Sequence, residues 1–448
     1  MDLTHRLPRV YNRLASCAGL SPLRFTLYWS LILFVLVATL LVRNTSSRDP
    51  GSWFFNPNIA YSRQYSAVRQ RQALRLIETA ADVKPPATET ATIPGLCIGI
   101  PSIAREGARY LRMTVGSLLA GLTDREREGI KLIVFIPHTD PAIHPAYHEA
   151  WLPHLTDQLL LYNLSQHELD YVKSLEREDV EHRTKGLYDY TYLMQACYAT
   201  KTPYIAIIED DVVAMDGWYH RSVNGIPQAE AQASSERMSN GFLYLRMFYT
   251  EQFLGWNSEY WIVYAFWSIT TIGTISLLVH WSRSTFNAVR HALTPRLSLL
   301  ICLVLAPWMV VLTFAAGRVT VFPLPHGINK MNDFGCCAQG LIFPRHKARD
   351  LIEWYKTSRV GFADMLTEQY ANEHGEQRWA LTPSVLQHIG AKSSKPEDFG
   401  HGAKYSKSVA GMIWNFAFEL NSPKALRKEH ELAAIEPLNL LSGTTGSE

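Results

Sequence analysis

Apolar stretches of two lengths organise this chain, the long ones uncharged. The long ones run from Phe25 to Val42, Tyr260 to Val279 and Leu297 to Ala316. Each approaches the roughly 20 residues a helix needs to cross a ~30 Å hydrocarbon core. The short ones are Leu96 to Ile100, Lys131 to Ile136, Gln158 to Tyr162 and Tyr204 to Ile208. Their length suits buried strands. Arg105 to Leu122 and Lys185 to Thr200, between them, have helical spacing. Continuous apolar strands alternating with helices predict an α/β domain with a mostly parallel sheet covered on both faces. Such sheets bind ligands at the carboxyl ends of their strands. After the third long stretch the pattern resumes, with a strand at Gln339 to Phe343 and a helix at Lys347 to Lys356. The last fifty or so residues look irregular.

Charge orients the long stretches. Arg6, Arg9, Arg13 and Arg24 precede the first, against one acid, Asp2. The positive-inside rule then predicts a cytosolic tail over 1–24 and a signal anchor over 25–43. Cleavage is not expected, because Leu41-Val42-Arg43 lacks a small-residue site. A polar stem is expected over 44–92. The second and third spans, 260–280 and 297–316, flank a basic linker at 281–296 carrying Arg283, Arg290, His291 and Arg296. No Asp or Glu occurs from Tyr260 to Asn332. This reads as a hairpin dipping to the cytosol, the alternative being two buried core helices. The globular domain is then lumenal, in two parts, 93–259 and 317–448. Sequons at Asn44 and Asn163 agree with that address.

Composition narrows the function. A net charge of +2 over 448 residues leaves no basic footprint for nucleic acid. Three spans without an inverted repeat do not describe a transporter. Six cysteines are too few for a disulfide scaffold. Cys17 falls on the cytosolic side and Cys302 within a span. Cys97, Cys197, Cys336 and Cys337 remain as lumenal candidates, with partners unassigned.

The chemistry concentrates at Glu209-Asp210-Asp211, directly after the most apolar strand. Three adjacent acids at a buried strand end repel one another and lose solvation. A hard divalent cation carrying a diphosphate relieves both, and carboxylates suit Mg²⁺ or Mn²⁺. Alternation along an extended chain puts Glu209 and Asp211 on one side, as the metal-facing pair. Pro101, Ser102 and Arg105 follow the first strand, where a nucleotide sits or a helix begins. Lys185 and Asp189 share a helical face, in reach of a ligand or of each other as a surface ion pair.

Several of these segments resemble GT-A glycosyltransferases. They are Arg183-Thr-Lys-Gly-Leu-Tyr-Asp-Tyr-Thr-Tyr-Leu-Met-Gln, Tyr204 to Val213, Asn332-Asp-Phe-Gly-Cys-Cys-Ala-Gln-Gly and Thr382-Pro-Ser-Val-Leu-Gln-His-Ile-Gly. The chain is most similar to the N-acetylglucosaminyltransferase IV group and the GPI-glycan N-acetylgalactosaminyltransferases. The latter family's layout, one anchor and a GT-A domain split by two further spans, is the more specific likeness. The likeness covers roughly residues 95–395 and leaves the stem and the last fifty or so unmatched. It implies Golgi membrane residence, UDP-GalNAc as donor, Mn²⁺ or Mg²⁺ as cofactor, and the mannose-bearing glycan of GPI-anchored proteins as acceptor. N-glycan mannose is the alternative acceptor. A catalytically inactive membrane scaffold is the alternative class, disfavoured by retention of the acids and His388. Residue by residue, the resemblance makes Glu209, Asp211 and His388 metal ligands, and Lys185 and Asp189 donor contacts. Asp210 joins the nucleotide-sugar side. An inverting transfer needs a carboxylate base near the acceptor hydroxyl. Asp364 is the first candidate, Glu368 one turn later the second, and Asp333 the third. Asp364 equally suits a helix N-terminus electrostatically.

Overall fold

The computed structural model describes residues 21–80, 94–179, 181–235, 241–331, 337–392 and 402–435. The chain forms two compact units, Met1–Ala60 with Leu254–Pro323, and Tyr61–Phe253 with Leu324–Glu448.

The first unit holds three helices long and apolar enough to cross a membrane: Pro22–Thr45, Trp261–Thr285 and Pro295–Ala316. Leu33, Ile269 and Leu303 stand 61%, 71% and 68% exposed on them, the apolar surface that a bilayer covers and water does not. The third helix widens to a π turn over Ile301–Leu305, just ahead of Pro307. Proline has no N–H for the preceding turn, and the wider turn absorbs the mismatch. Residues 46–56 are no free spacer. Ser52 Oγ and Trp53 N donate to Ala315 O at 2.8 and 2.9 Å. Buried Asp49 accepts from Gly51 N and Thr320 N, both at 2.8 Å.

The second unit is a mixed α/β domain. Its strands are β1 (Leu96–Pro101), β2 (Ile130–Phe135), β3 (Gln158–Leu160), β4 (Tyr204–Ile208), β5 (Val212–Ala214), β6 (Phe242–Arg246), β7 (Gly327–Lys330), β8 (Gly340–Pro344), β9 (Gln377–Thr382) and β10 (Leu386–His388). Eight form one sheet in the order β3-β2-β1-β4-β8-β6-β9-β7, while β5 and β10 pair separately. Only β8 and β7 run against the other six. The sheet is therefore mostly parallel, as the apolar runs predict. The helices that matter for the site are α1 (Tyr65–Glu78), α2 (Tyr110–Leu119), α3 (Lys185–Ala199), α4 (Trp218–Ser235), α5 (Arg345–Ser358), α6 (Ala363–His374) and α7 (Pro423–Ile435). A disulfide joins Cys97 of β1 to Cys197 of α3, a pairing left open by the sequence.

Two expectations need correction. Helix α1, placed in the stem, packs into the domain, with Tyr65 and Ala73 buried. A Cβ on Gly116 of α2 would lie 2.6 Å from Ala73 O, so the two helices approach as closely as glycine permits. Buried Arg69 donates to Ala214 O and Ser117 O at 2.7 Å and to Ala120 O at 3.1 Å. A largely polar helix thus enters the core by satisfying carbonyls as well as by burying its few apolar residues. The C-terminal segment is likewise core where described. Trp414, Phe416 and Phe418 are buried, and Glu251 accepts from Phe416 N and Ala417 N at 2.9 Å. Side chains hold the backbone around Phe416, and the segment then forms helix α7, where the sequence looks irregular.

Arg69→Ala strands two buried carbonyls, Ala214 O and Ser117 O, and the part-buried Ala120 O. We expect a loss of at least about 3 kcal/mol, read as a lower denaturation midpoint for the globular unit. A solvated stem helix would lose almost nothing.

Candidate active site

Strand β4 is buried along its length and ends at Ile208. Glu209, Asp210 and Asp211 occupy the turn beyond it. Their divergence comes from that turn, not from strand alternation. The chain then leaves the sheet as β5, which pairs antiparallel with β10, setting Val212 against His388. Ile389 N donates to Asp211 O at 2.8 Å. This register brings His388 Nε2 to 3.3 Å from Asp211 Oδ2. His388 Nδ1 lies 3.0 Å from Ile413 O. A carbonyl only accepts, so Nδ1 carries a proton, and Nε2 is the ring nitrogen that faces Asp211. Burial opposes a charge on His388, but the Asp211 carboxylate outweighs it and raises the imidazole above its ordinary range.

Glu209 is pushed up to about 8, first by burial, then by Asp211, with Asp364 adding. Asp211 Oδ1 is buried with no partner among the described residues. A Cβ on Gly390 would sit 2.4 Å from Asp211 Oδ2 and 2.7 Å from His388 Nε2, so glycine leaves the space beside this pair open. Two carboxylates, a tautomer-fixed imidazole and an orphaned oxygen fit a divalent cation. Oxygen-rich donors with one imidazole favour Mn²⁺, and accommodate Mg²⁺.

Asp210 faces elsewhere. Arg105 Nη1 donates to both its oxygens at 2.7 and 2.8 Å, and Ser102 Oγ donates at 2.5 Å. His144, missed by sequence reasoning, completes the group. Its Nδ1 accepts from Ala146 N at 3.2 Å, leaving Nε2–H to donate to Ser102 Oγ at 3.0 Å. Burial, then Arg105, lowers its pKa to about 4, so it is neutral. Thr114 Oγ1, also missed, lies 2.6 Å from Asp210 O and 2.8 Å from Val212 O. Neither residue sits in a sequence pattern that marks it. Ser102, Arg105, Tyr110, His144 and Asp210 line one concavity at the end of β1, beside Pro101.

The remaining candidates separate by environment. Lys185 and Asp189 pair at 2.8 Å, but buried, not on the surface. Lys185 Nζ also donates to Pro137 O and Tyr162 OH at 2.9 Å. Burial raises Asp189 to about 6 against the pull of Lys185. Glu368 is sunk in a clamp: Oε1 accepts from Tyr244 OH at 2.5 Å and Arg246 Nη2 at 2.9 Å, and Oε2 from Arg378 Nη1 at 2.8 Å. Asp364 stays part-exposed in the first turn of α6. Its Oδ1 accepts from Met365 N at 2.8 Å, and its charge reaches Glu209 and Tyr190. Asp333 lies outside the described residues. Asn163 is exposed in the loop before the Gln166–Glu178 helix, and Asn44 is exposed on the last turn of Pro22–Thr45.

Glu368→Gln leaves two buried guanidiniums against a neutral amide. It should cost about 3–5 kcal/mol, the range for breaking a buried pair. Asp364→Asn should stay within about 1 kcal/mol. Denaturant titration of both variants checks this, and equal stabilities would contradict the clamp.

Comparison with known proteins places this region. The family model described as GPI-N-acetylgalactosamine transferase PGAP4 matches residues 96–387, more than half of the 448-residue chain. Alpha-1,3-mannosyl-glycoprotein 4-beta-N-acetylglucosaminyltransferase B of Danio rerio is 29% identical over 136 residues, 28% of this chain and 24% of that protein. Its Mus musculus counterpart is 36% identical over 129 residues, 26% and 23% of the two chains. The chain thus spans about a quarter of the length of these relatives. The match of a glycosyltransferase family model over residues 96–387, from the first residue of β1 past the three acids to the residue before His388, makes this chain a member of the GPI-N-acetylgalactosamine transferase PGAP4 family.

Proposed function

We propose that this protein is a metal-dependent GT-A glycosyltransferase that transfers N-acetylgalactosamine from UDP-GalNAc to a mannose of the GPI-anchor glycan. The observation carrying the reading is the contact of His388 with Asp211 at 3.3 Å, with Glu209 interacting by charge with both and with Asp364, at the end of the family-matched strand β4. Glu209, Asp211 and His388 hold Mn²⁺ or Mg²⁺. When bound, the cation stabilises charge developing on the departing diphosphate. Asp210, fixed by Arg105 and Ser102, shapes the nucleotide side, where Arg105 Nε is buried without a partner among the described residues. Buried Lys185 and Asp189 support that side through α3 and Pro137. Asp364, part-exposed near Glu209, takes the proton of the acceptor hydroxyl as that oxygen attacks the anomeric carbon. The nucleoside diphosphate leaves from the opposite face.

Membrane topology follows from the same reading. Pro22–Thr45 is a signal anchor, and Trp261–Thr285 with Pro295–Ala316 a hairpin whose basic linker near Arg290 is cytosolic. The globular unit is lumenal, in the Golgi membrane system. The chain passes between the units at residues 60/61, 253/254 and 323/324. Three covalent tethers hold the site near the bilayer more tightly than one and raise its effective concentration toward a lipid-linked glycan. N-acetylglucosaminyl transfer to an N-glycan mannose is the second reading, favoured by the local identity to the 4-beta-N-acetylglucosaminyltransferases.

Asp211→Ala should fold and insert normally yet lose at least about 100-fold in transfer; excess chelator should do the same to wild type. Asp364→Asn should keep donor affinity and lose about 10²–10⁴-fold in turnover, the contribution of a positioned base. Glycan mass spectrometry of GPI-anchored proteins, with and without this protein, decides the acceptor. An unchanged GPI glycan alongside an altered N-glycan would replace the first reading with the second.

A further inference from the structure

The geometry points to a second metal site, structural and zinc-binding, formed by Glu126, His220 and His430 away from the acids of the active site. One ligand atom from each lies within 4.8 Å of the other two, and all three residues are buried. Glu126 lies in the first turn of a short helix, Asp124–Glu128, ahead of β2, His220 in the first turn of α4, and His430 on α7.

The hydrogen bonds set both imidazoles in the manner of metal ligands. His430 Nδ1 lies 2.6 Å from Asp216 Oδ1, and a carboxylate only accepts, so Nδ1 carries a proton. Its Nε2 then faces Glu126 Oε1 and Oε2, each at 3.0 Å. His220 Nε2 is directed at Glu429 Oε1 at 3.3 Å. His220 Nδ1 is buried with no partner among the described residues. Each histidine thus has one nitrogen oriented by a carboxylate, as in metal-bound histidine; the second is unpartnered among the described residues in His220, and in His430 it faces Glu126, where a cation would displace its proton. Two imidazole nitrogens and one carboxylate suit Zn²⁺ rather than Mg²⁺ or Ca²⁺, which select oxygen. The alternative is an imidazolium at His430 shared between Glu126 and Asp216. That explains the contacts of His430 but leaves the His220 nitrogen buried and unsatisfied, which a cation does not.

The site has a structural use. Asp216 lies two residues beyond β5, whose other end adjoins Asp211. An ion held by Glu126, His220 and His430 ties α7 to the start of α4 and, through Asp216, to the end of β5. It therefore fixes the strand whose pairing with β10 assembles the active site.

The test uses full-length protein purified in detergent without chelator, with bound metal measured by inductively coupled plasma mass spectrometry. We expect about one zinc per chain, as purified or after titration with Zn²⁺. X-ray absorption should show nitrogen and oxygen neighbours at about 2.0–2.2 Å. Asp211→Ala should retain the zinc, whereas His220→Ala, which leaves both His430 contacts in place, should bind it at least about tenfold more weakly. Wild-type protein that takes up no zinc on titration overturns the site, independently of how any variant folds. Loss of zinc in Asp211→Ala but not in His220→Ala also overturns it, because the metal would then sit among the active-site acids.

Discussion

The pairing of β5 with β10 is the constraint on which the site depends. Three residue pairs, Leu386 with Ala214, Gln387 with Val213 and His388 with Val212, carry the register. A shift of one residue would turn His388 to the opposite side of its strand, since side chains alternate there. The surrounding structure guards that register. Gln387 Nε2 donates to Glu419 Oε1 and Asn415 O, and Asn415 N donates to Gln387 Oε1. Arg69 holds the end of β5 through Ala214 O. Polar groups that look scattered in the chain thus converge on six strand residues.

The same domain shows how buried charge is managed when no cation is needed. Asp210 has Arg105 and Ser102, Asp189 has Lys185 and Tyr162, Glu368 has two arginines and a tyrosine, and Lys347 has Glu376. Each of these acids is matched by donors on neighbouring side chains. Glu209 and Asp211 depart from this pattern: Asp211 has His388 at 3.3 Å and one oxygen without a partner among the described residues, and its charge, after burial, pushes Glu209 up. The contrast with these four acids makes the cluster the candidate place for a ligand that supplies the missing charge.

Chain order explains why the apolar insertion does not divide the domain. Strands β1 to β6 precede residues 254–323, and β7 to β10 follow them. In the sheet the two sets interleave: β8 lies between β4 and β6, and β9 between β6 and β7. Neither set has a complete sheet alone, so the edges of each are covered only by the other. The match of one family model across the insertion has this interleaving as its physical basis.

The sequence by itself determined the strand-and-helix alternation, the mostly parallel sheet, the three long apolar helices and the position of the acids after β4. These follow from local periodicity, apolar run length and the cost of adjacent charges, all readable within short windows. It also placed Ser102, Arg105 and Asp210 at one strand end, because the carboxyl ends of parallel strands gather in space. Tertiary structure decided the rest. Whether Glu368 or Asp364 is accessible depends on Arg246 and Arg378, which arrive from other strands. That α1 belongs to the domain depends on carbonyls of Ala214, Ser117 and Ala120, far away in the chain. His144 meets Ser102, and His430 meets Glu126, through folding that no periodicity encodes. Short-range pattern reports what a segment buries; only the packed fold reports which polar groups it buries them against.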